Sequence, residues 1–121
     1  MAQFSIKQRI KSFSYAFNGL RLLILHEHNG RIHAVAAVCA ITMGWFYGIA
    51  VSEWIAIIFA IALVIAFEIV NSAIEKLADV VSPQYLPAIK GVKDLAAAAV
   101  LVAAIAAFII GLIIFIPKII A

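Results

Sequence analysis

Two charge-free runs constrain this chain more than any other feature. Residues 32–52, between Arg31 and Glu53, and residues 95–117, between Asp94 and Lys118, contain no Asp, Glu, Lys or Arg. Each is long enough for the roughly 20 apolar residues that cross a bilayer as an α-helix. The 121-residue chain is 67% hydrophobic and 12% charged, whereas a soluble domain is about 45–50% apolar and about 25% charged. Too little polar surface exists to cover such a chain in water. That balance excludes a disordered tail, a nucleic-acid module with a broad basic face, and an ordinary cytosolic enzyme. An integral membrane protein of one domain is what remains. Cys39 is the one cysteine, so no intrachain disulfide forms. It is expected to be buried in the first span as a small apolar filler.

The middle of the chain is different. Residues 54–67, between Glu53 and Glu68, are too few to span alone. The apolar pattern nevertheless continues through Ile69, Val70, Ala73, Ile74, Leu77 and Ala78 until Ser82-Pro83 stops it. One helix over 54–81 follows, with Glu68, Asn71, Glu75 and Asp79 in its second half. The expected class is an all-α membrane protein with transmembrane helices over 32–50, 54–81 and 95–116 and a cytoplasmic loop over 82–94. Residues 1–29 hold a surface helix and a polar turn. Ile6, Ile10, Phe13, Phe17, Leu20 and Ile24 recur at helical spacing, with Lys7, Arg9 and Lys11 on much of the other face. That pattern predicts an amphipathic helix lying in the membrane surface. No signal peptide is expected, because residues 1–31 hold no apolar run before a small-residue cleavage site.

Lys7, Arg9, Lys11, Arg21 and Arg31 precede the first span, and Lys90 and Lys93 lie between the second and third. The turn between spans one and two has no Lys or Arg. The positive-inside rule therefore places the N-terminus and the 82–94 loop in the cytoplasm and the C-terminus outside. Trp45, Tyr47 and Trp54 bracket the outer turn as interfacial aromatics do.

At about 100° per residue, Glu68, Asn71, Glu75 and Asp79 fall within a stripe roughly 80° wide. An ionised group at mid-bilayer costs about 2.5–3.5 kcal/mol even on the lenient insertion scale. Three carboxylates on one face must therefore meet a polar cavity, cations or another subunit. A helix end protruding into water accounts for Asp79 and for Glu75, but poorly for Glu68. From Trp54 at the outer interface, Glu68 lies about 21 Å along the helix, roughly 9 Å short of the cytoplasmic border. Glu75 lies about 10 Å further, near that border. A carboxylate withdrawn from water suits a proton acceptor. One at the water boundary suits Mg²⁺, which takes oxygen ligands and keeps several waters.

Lys93-Asp94 closes the loop. Lys93 suits a phosphate, and Asp94 either orients a ligand or caps the following helix. Before the first span lies His26-Glu27-His28-Asn29-Gly30-Arg31, a polar knot at the same interface. Its Glu27 is the candidate partner carboxylate for Glu75. The histidines do not make a zinc site, because nothing supplies the remaining ligands. Ala99, Ala103, Ala107 and Gly111 recur every fourth residue, either as the ordinary small residues of a membrane helix or as a close-packing face.

The run Glu68-Ile69-Val70-Asn71-Ser72-Ala73-Ile74-Glu75, with Asp79 and Lys93-Asp94, resembles the signature of prokaryotic diacylglycerol kinases and their undecaprenol kinase relatives. The resemblance takes in the surface helix, Gly19-Leu20-Arg21, Glu27, the three spans and the loop. It implies a homotrimer of three-span subunits in the bacterial cytoplasmic membrane, with active sites shared between neighbours. It also implies ATP and Mg²⁺ as the co-substrate pair and a membrane lipid alcohol, diacylglycerol or undecaprenol, as acceptor. By the same resemblance Glu68 is the general base, and Glu27 and Glu75 hold the metal–nucleotide. Asn71, Lys93 and Asp94 serve nucleotide binding and activity, and Tyr15 is a surface-helix aromatic near the nucleotide. Where the family carries an arginine on that helix, this chain has Gln8, with Arg9 one place along. Arg31-Ile32-His33 and Ile113-Ile114-Phe115-Ile116-Pro117-Lys118 look more like the undecaprenol branch.

The chain has no GxxxxGK[ST] loop and no Gly-rich kinase loop, so the usual backbone phosphate cradles are absent. Charge on the phosphoryl group must then be met by Mg²⁺ and Lys93. Two rivals stand beside this reading. An ion-translocating oligomeric subunit using intramembrane carboxylates shares the buried Glu68 but does not account for Glu27, Lys93 and Asp94 at the cytoplasmic edge. A non-enzymatic assembly subunit would use the polar stripe for helix association.

Overall fold

The computed structural model describes residues 3–121, and its regular elements are four helices: α1 (Ile6–His26), α2 (His28–Tyr47), α3 (Val51–Val81) and α4 (Pro87–Ile119). α1 begins where the Ser5 hydroxyl accepts from the Gln8 N–H at 3.4 Å, satisfying one of the donors that a first turn leaves unpaired. It ends at a one-residue break. Glu27 is extended (φ −116°, ψ 117°) and serves both as the last cap of α1 and the first of α2. Arg31 secures the break from the α2 side. Its Nε donates to the Ile24 carbonyl at 2.7 Å, and its Nη2 donates to that of Leu25. These are carbonyls that a helix end leaves without intrahelical partners. The polar knot expected around residues 26–31 is thus a hinge at Glu27 alone.

Only Leu23 of α1 is buried, and it packs where Gly30 has no side chain: a Cβ there would lie 2.7 Å from the Leu23 Cγ. The apolar stripe from Ile6 to Ile24 is exposed along its length. From Ile6 to Phe17 it is about two-thirds exposed, which leaves it available to a membrane surface.

α2 closes on Gly48, whose φ of +58° places it in the left-handed region that favours glycine. A tight turn follows, and α3 starts at Val51, where Glu53 Oε1 reaches back to accept from the Ala50 N–H at 2.9 Å. Lys118 Nζ donates to Glu53 Oε2 at 3.2 Å and ties the same ends of α3 and α4 together. Beside that tie lies a core of Ile49, Ile57, Ile114 and Phe115, flanked by Tyr47 and Trp54. Trp45 and Trp54 meet edge to face with ring centroids 6.1 Å apart. The aromatic bracket expected at this turn is a packed cluster as well.

Ser82 caps the end of α3, and Pro83 follows it. The loop expected over 82–94 is shorter than that. Helix resumes at Pro87, whose missing N–H is harmless in a first turn. Lys90, Lys93 and Asp94 therefore sit on helix, and Asp94 is not a cap. The charge-free run marks the apolar thickness of α4 rather than its ends, and the helix carries on past Pro117 to Ile119. α3 and α4 form the most extensively packed pair of helices. Ala103, 2% exposed, lies at the centre of the small-residue stripe, with Ala107 and Gly111 bounding a cavity further along it.

α3 and α4 are long and apolar enough to cross a membrane. α2 has 20 residues, but His28, Asn29, Arg31 and His33 crowd its first turns. Large side chains such as Phe59, Val102, Phe108 and Ile113 are exposed on α3 and α4, a distribution suited to lipid rather than water. Cys39, expected to be buried, is exposed on α2, because α2 turns only a narrow face toward α3 and α4.

A Cβ on Gly44 would lie 2.6 Å from Cη2 of Trp54 and 3.1 Å from Cδ1 of Ile49. The Trp54 ring cannot yield without disturbing its contact with Trp45. Gly44→Ala is therefore expected to lower stability by about 1–3 kcal/mol, the usual effect of overpacking, measured by reversible unfolding in mixed micelles.

Candidate active site

The acidic stripe of α3 is divided by depth. Glu68 is 2% exposed, Asn71 6% and Ser72 7%. Glu75, one turn further, is half-buried, and Asp79 is exposed. Burial within the chain therefore falls off along the stripe from Glu68 toward Asp79. Asn71 Nδ2 donates to Glu75 Oε1 at 3.5 Å, a long bond that links adjacent turns of the same face. α2 crosses this face with His33, whose Nε2 stands 3.8 Å from Glu68 Oε2. The hinge brings Glu27 to the same region, where its Oε1 accepts from Lys76 Nζ at 3.1 Å. Glu68 lies within electrostatic reach of His33, Glu75 and Glu27. Three carboxylates, two from α3 and one from the hinge, therefore share one neighbourhood.

Glu68 Oε2, Asn71 Oδ1 and Ser72 Oγ are buried without a hydrogen-bond partner. Buried polar atoms in folded proteins are nearly always paired, so these three define a place where a polar ligand is wanted. Among the described residues no three His, Cys, Asp or Glu side chains gather into a protein-only metal site. Mg²⁺ does not require one, since it commonly takes one or two carboxylates and completes its shell with phosphate and water oxygens. Glu27 and Glu75 are oxygen donors of that kind, and the carboxylates outnumber the nearby cations. The residues present fit the ion.

The other expected site residues lie apart from this group. Lys93 Nζ donates to Asp79 Oδ1 at 2.6 Å, and Lys90 Nζ to Asp94 Oδ2 at 2.5 Å. Both pairs join α4 to itself or to the end of α3, next to a cavity of about 280 Å³ that takes in Asp79, Tyr85, Lys90 and Lys93. Tyr15 is exposed on α1, and Arg9 turns toward the Phe4 ring, 6.0 Å from its centroid. Within one chain, then, Glu27, Glu68, Asn71 and Glu75 share one neighbourhood, while Tyr15, Lys93 and Asp94 stay outside it.

Three contributors escaped the sequence reading as site residues: His33, Ser72 and Lys76. His33 is an ionisable side chain one residue inside a charge-free run, which is a usable signal. Ser72, four residues after Glu68, is legible from helical spacing, whereas Lys76 gives no signal, since only the crossing of α1 and α3 brings it to the hinge.

An apolar cavity of about 300 Å³ runs between α2, α3 and α4. Its walls are narrow side chains such as Ala36, Ala40, Ala60 and Ala107, and His33 is its one polar lining residue. The cavity therefore leads, at its polar end, to the neighbourhood of Glu68.

The Lys93–Asp79 pair is solvent-accessible on both sides, and exposed pairs contribute little to stability. Asp79→Asn is expected to change unfolding free energy by less than about 1 kcal/mol, so any change in turnover would report release of Lys93 rather than loss of fold.

Comparison with known proteins finds one family along most of the chain. A family model described as prokaryotic diacylglycerol kinase matches residues 14–115. An undecaprenol kinase of Bacillus subtilis (strain 168) is 37% identical over 108 residues, covering 89% of this chain and 88% of that protein. A diacylglycerol kinase of Escherichia coli (strain K12) is 33% identical over 100 residues, covering 83% and 82%. A diacylglycerol kinase of Synechocystis sp. is 36% identical over 101 residues, covering 83% of this chain and 58% of that protein.

Proposed function

We propose that this chain, which belongs to the prokaryotic diacylglycerol kinase family and is therefore a lipid kinase that uses ATP, transfers the γ-phosphoryl group to the primary hydroxyl of a membrane alcohol at Glu68. The observation that carries this reading is the buried, unpartnered carboxylate oxygen of Glu68 beside two further carboxylates. A nucleophile bound there meets a base inside an apolar surround, while the phosphates meet acids and lysines nearer the aqueous border.

Glu68 takes the hydroxyl proton as the new O–P bond forms and the bond from the γ-phosphorus to the β,γ-bridging oxygen breaks, releasing ADP. Glu27 and Glu75 would hold Mg²⁺, which when bound neutralises charge on the phosphates. Glu27, which now accepts from Lys76, would be the residue to give up that contact in holding the ion. Asn71 keeps Glu75 in place through their hydrogen bond. Lys93 leaves Asp79 for a phosphate oxygen, and Asp94 orients the nucleotide. The apolar cavity beneath His33 takes the hydrocarbon tail of the acceptor, which arrives laterally from the inner leaflet.

Three copies assemble, and a neighbour's α4 or α1 completes each site. Support comes from the residues that a single chain leaves away from Glu68, namely Tyr15 and Asp94, and from the unpartnered apolar faces of the helices. α2 is the third span and α1 lies in the inner surface of the cytoplasmic membrane. The N-terminus and the site face the cytoplasm, and the C-terminus lies outside. The exposed stripe of α1 and the Lys and Arg distribution support that arrangement. Undecaprenol is the favoured acceptor, on Arg31-Ile32-His33 and the Ile113–Lys118 tail, and diacylglycerol is the alternative.

An ion-relay role gains no support. Beyond His33 the cavity is lined by apolar side chains, which offer a proton or cation no further station.

Purified protein with Mg²⁺-ATP and either undecaprenol or diacylglycerol should yield the corresponding lipid phosphate; no phosphate on either lipid would refute the reading. Glu68→Gln should lower turnover by about 10²–10⁴-fold, the usual contribution of a general base, with nucleotide binding retained. An equal loss of ATP affinity would count against Glu68 as the base.

A further inference from the structure

His33 has no part in the phosphoryl-transfer step described so far, yet it occupies a distinctive position. It is the one polar side chain lining the apolar cavity between α2, α3 and α4. It is also the only imidazole within 4 Å of a carboxylate among the described residues, with Nε2 3.8 Å from Glu68 Oε2. Its side chain is 20% exposed and that of Glu68 is 2% exposed. The separation is too long for a direct hydrogen bond. Glu68 Oε2 is left buried and unpartnered as a result.

A hydroxyl oxygen about 2.8 Å from both atoms, with the near-tetrahedral angle its donor and acceptor directions prefer, needs them roughly 4.6 Å apart, so a small side-chain rotation that widens the 3.8 Å separation admits one oxygen atom. A hydroxyl there can donate its proton to Glu68 Oε2 while accepting from a His33 Nε2–H. Carboxylate and imidazole thus present the acceptor and donor that an alcohol, and not a carbonyl or an ether, satisfies together. Separations of this kind are commonly closed by a bridging group.

We propose that His33 positions the acceptor's primary hydroxyl for Glu68, reading the alcohol at the head of the apolar cavity. The inference rests on the assignment of Glu68 as the base and adds a second contact to the reacting oxygen. The Nε2–H holds that oxygen, the hydroxyl proton points at the carboxylate, and the remaining lone pair is directed away from both toward the phosphorus. No proton is transferred to or from His33 in this arrangement. A docked hydroxyl also removes the unpaired state of Glu68 Oε2, so binding the alcohol and satisfying the buried carboxylate are one event.

The test compares His33→Gln, which keeps an N–H donor, with His33→Met, which keeps bulk and removes it. Steady-state rates are measured with undecaprenol and with diacylglycerol, alongside ATP-analogue binding and oligomer size. For the better acceptor, His33→Met should lower kcat/KM for the lipid about tenfold, as the loss of one hydrogen bond predicts, with the KM for ATP changed less than about twofold. His33→Gln should recover most of that loss. Equal activity of wild type and His33→Met overturns the proposal, as does an equal defect in both variants, which would mean that His33 acts by charge or shape. Loss of ATP-analogue binding or of the wild-type oligomer in His33→Met, with His33→Gln no better, overturns it too, because the role is then structural. If wild type phosphorylates lipid and Glu68→Gln does not, failure of the His33 variants to differ sinks this inference alone; a wild type that phosphorylates no lipid sinks the kinase reading beneath it.

Discussion

The structure depends on where α3 puts Glu68. A carboxylate in the apolar part of a membrane protein is tolerated only when it faces protein or a polar cavity. The polar residues around it on α3 are arranged accordingly. Asn71 and Ser72 share its buried face, and Glu75 continues it outward. α2 answers with His33, and the hinge answers with Glu27. The result is a pocket of oxygen atoms in which three remain unpaired, a state that a folded protein sustains where a ligand is to be bound.

The helix break at Glu27 is what makes this convergence possible. A continuous helix from residue 6 to residue 47 would carry Glu27 and His33 on a straight rod. One extended residue redirects the chain, and the Arg31 side chain ties both halves together through the last carbonyls of α1. Leu23 and Gly30 then close the inside of the corner. At the opposite end of the molecule, Gly48 and the Trp45, Trp54 and Ile49 cluster fix how α2 returns to α3. The two corners together set the distance between α2 and α3, and with it the gap between His33 and Glu68.

Lysines mark the division of labour along α3 and α4. Lys93 and Lys90 hold Asp79 and Asp94 near the aqueous border, and Lys76 holds Glu27. These pairs are accessible and individually weak, so a polyanion can displace them at little expense. The buried groups carry no such partners. Under the kinase mechanism, phosphates exchange ion pairs at the rim while the alcohol meets Glu68 below it.

The sequence by itself determined a great deal. Charge-free length made the chain a membrane protein, helical spacing put Glu68, Asn71, Glu75 and Asp79 on one face, and distance from Trp54 ranked their depth. These properties are local, fixed by the geometry of a single helix and the thickness of a bilayer. The start of α4 was misjudged because the absence of charge measures apolar thickness, whereas Pro87 and the turn before it decide where helix begins. Cys39 was misjudged because hydrophobicity in a membrane chain does not distinguish lipid contact from burial. Only the tertiary structure decided that His33 and Lys76 join the acidic group, that Lys93 rests on Asp79, and that Tyr15 and Asp94 stay outside. Such relations link residues on different helices, and they depend on two corners whose angles no single stretch of sequence encodes.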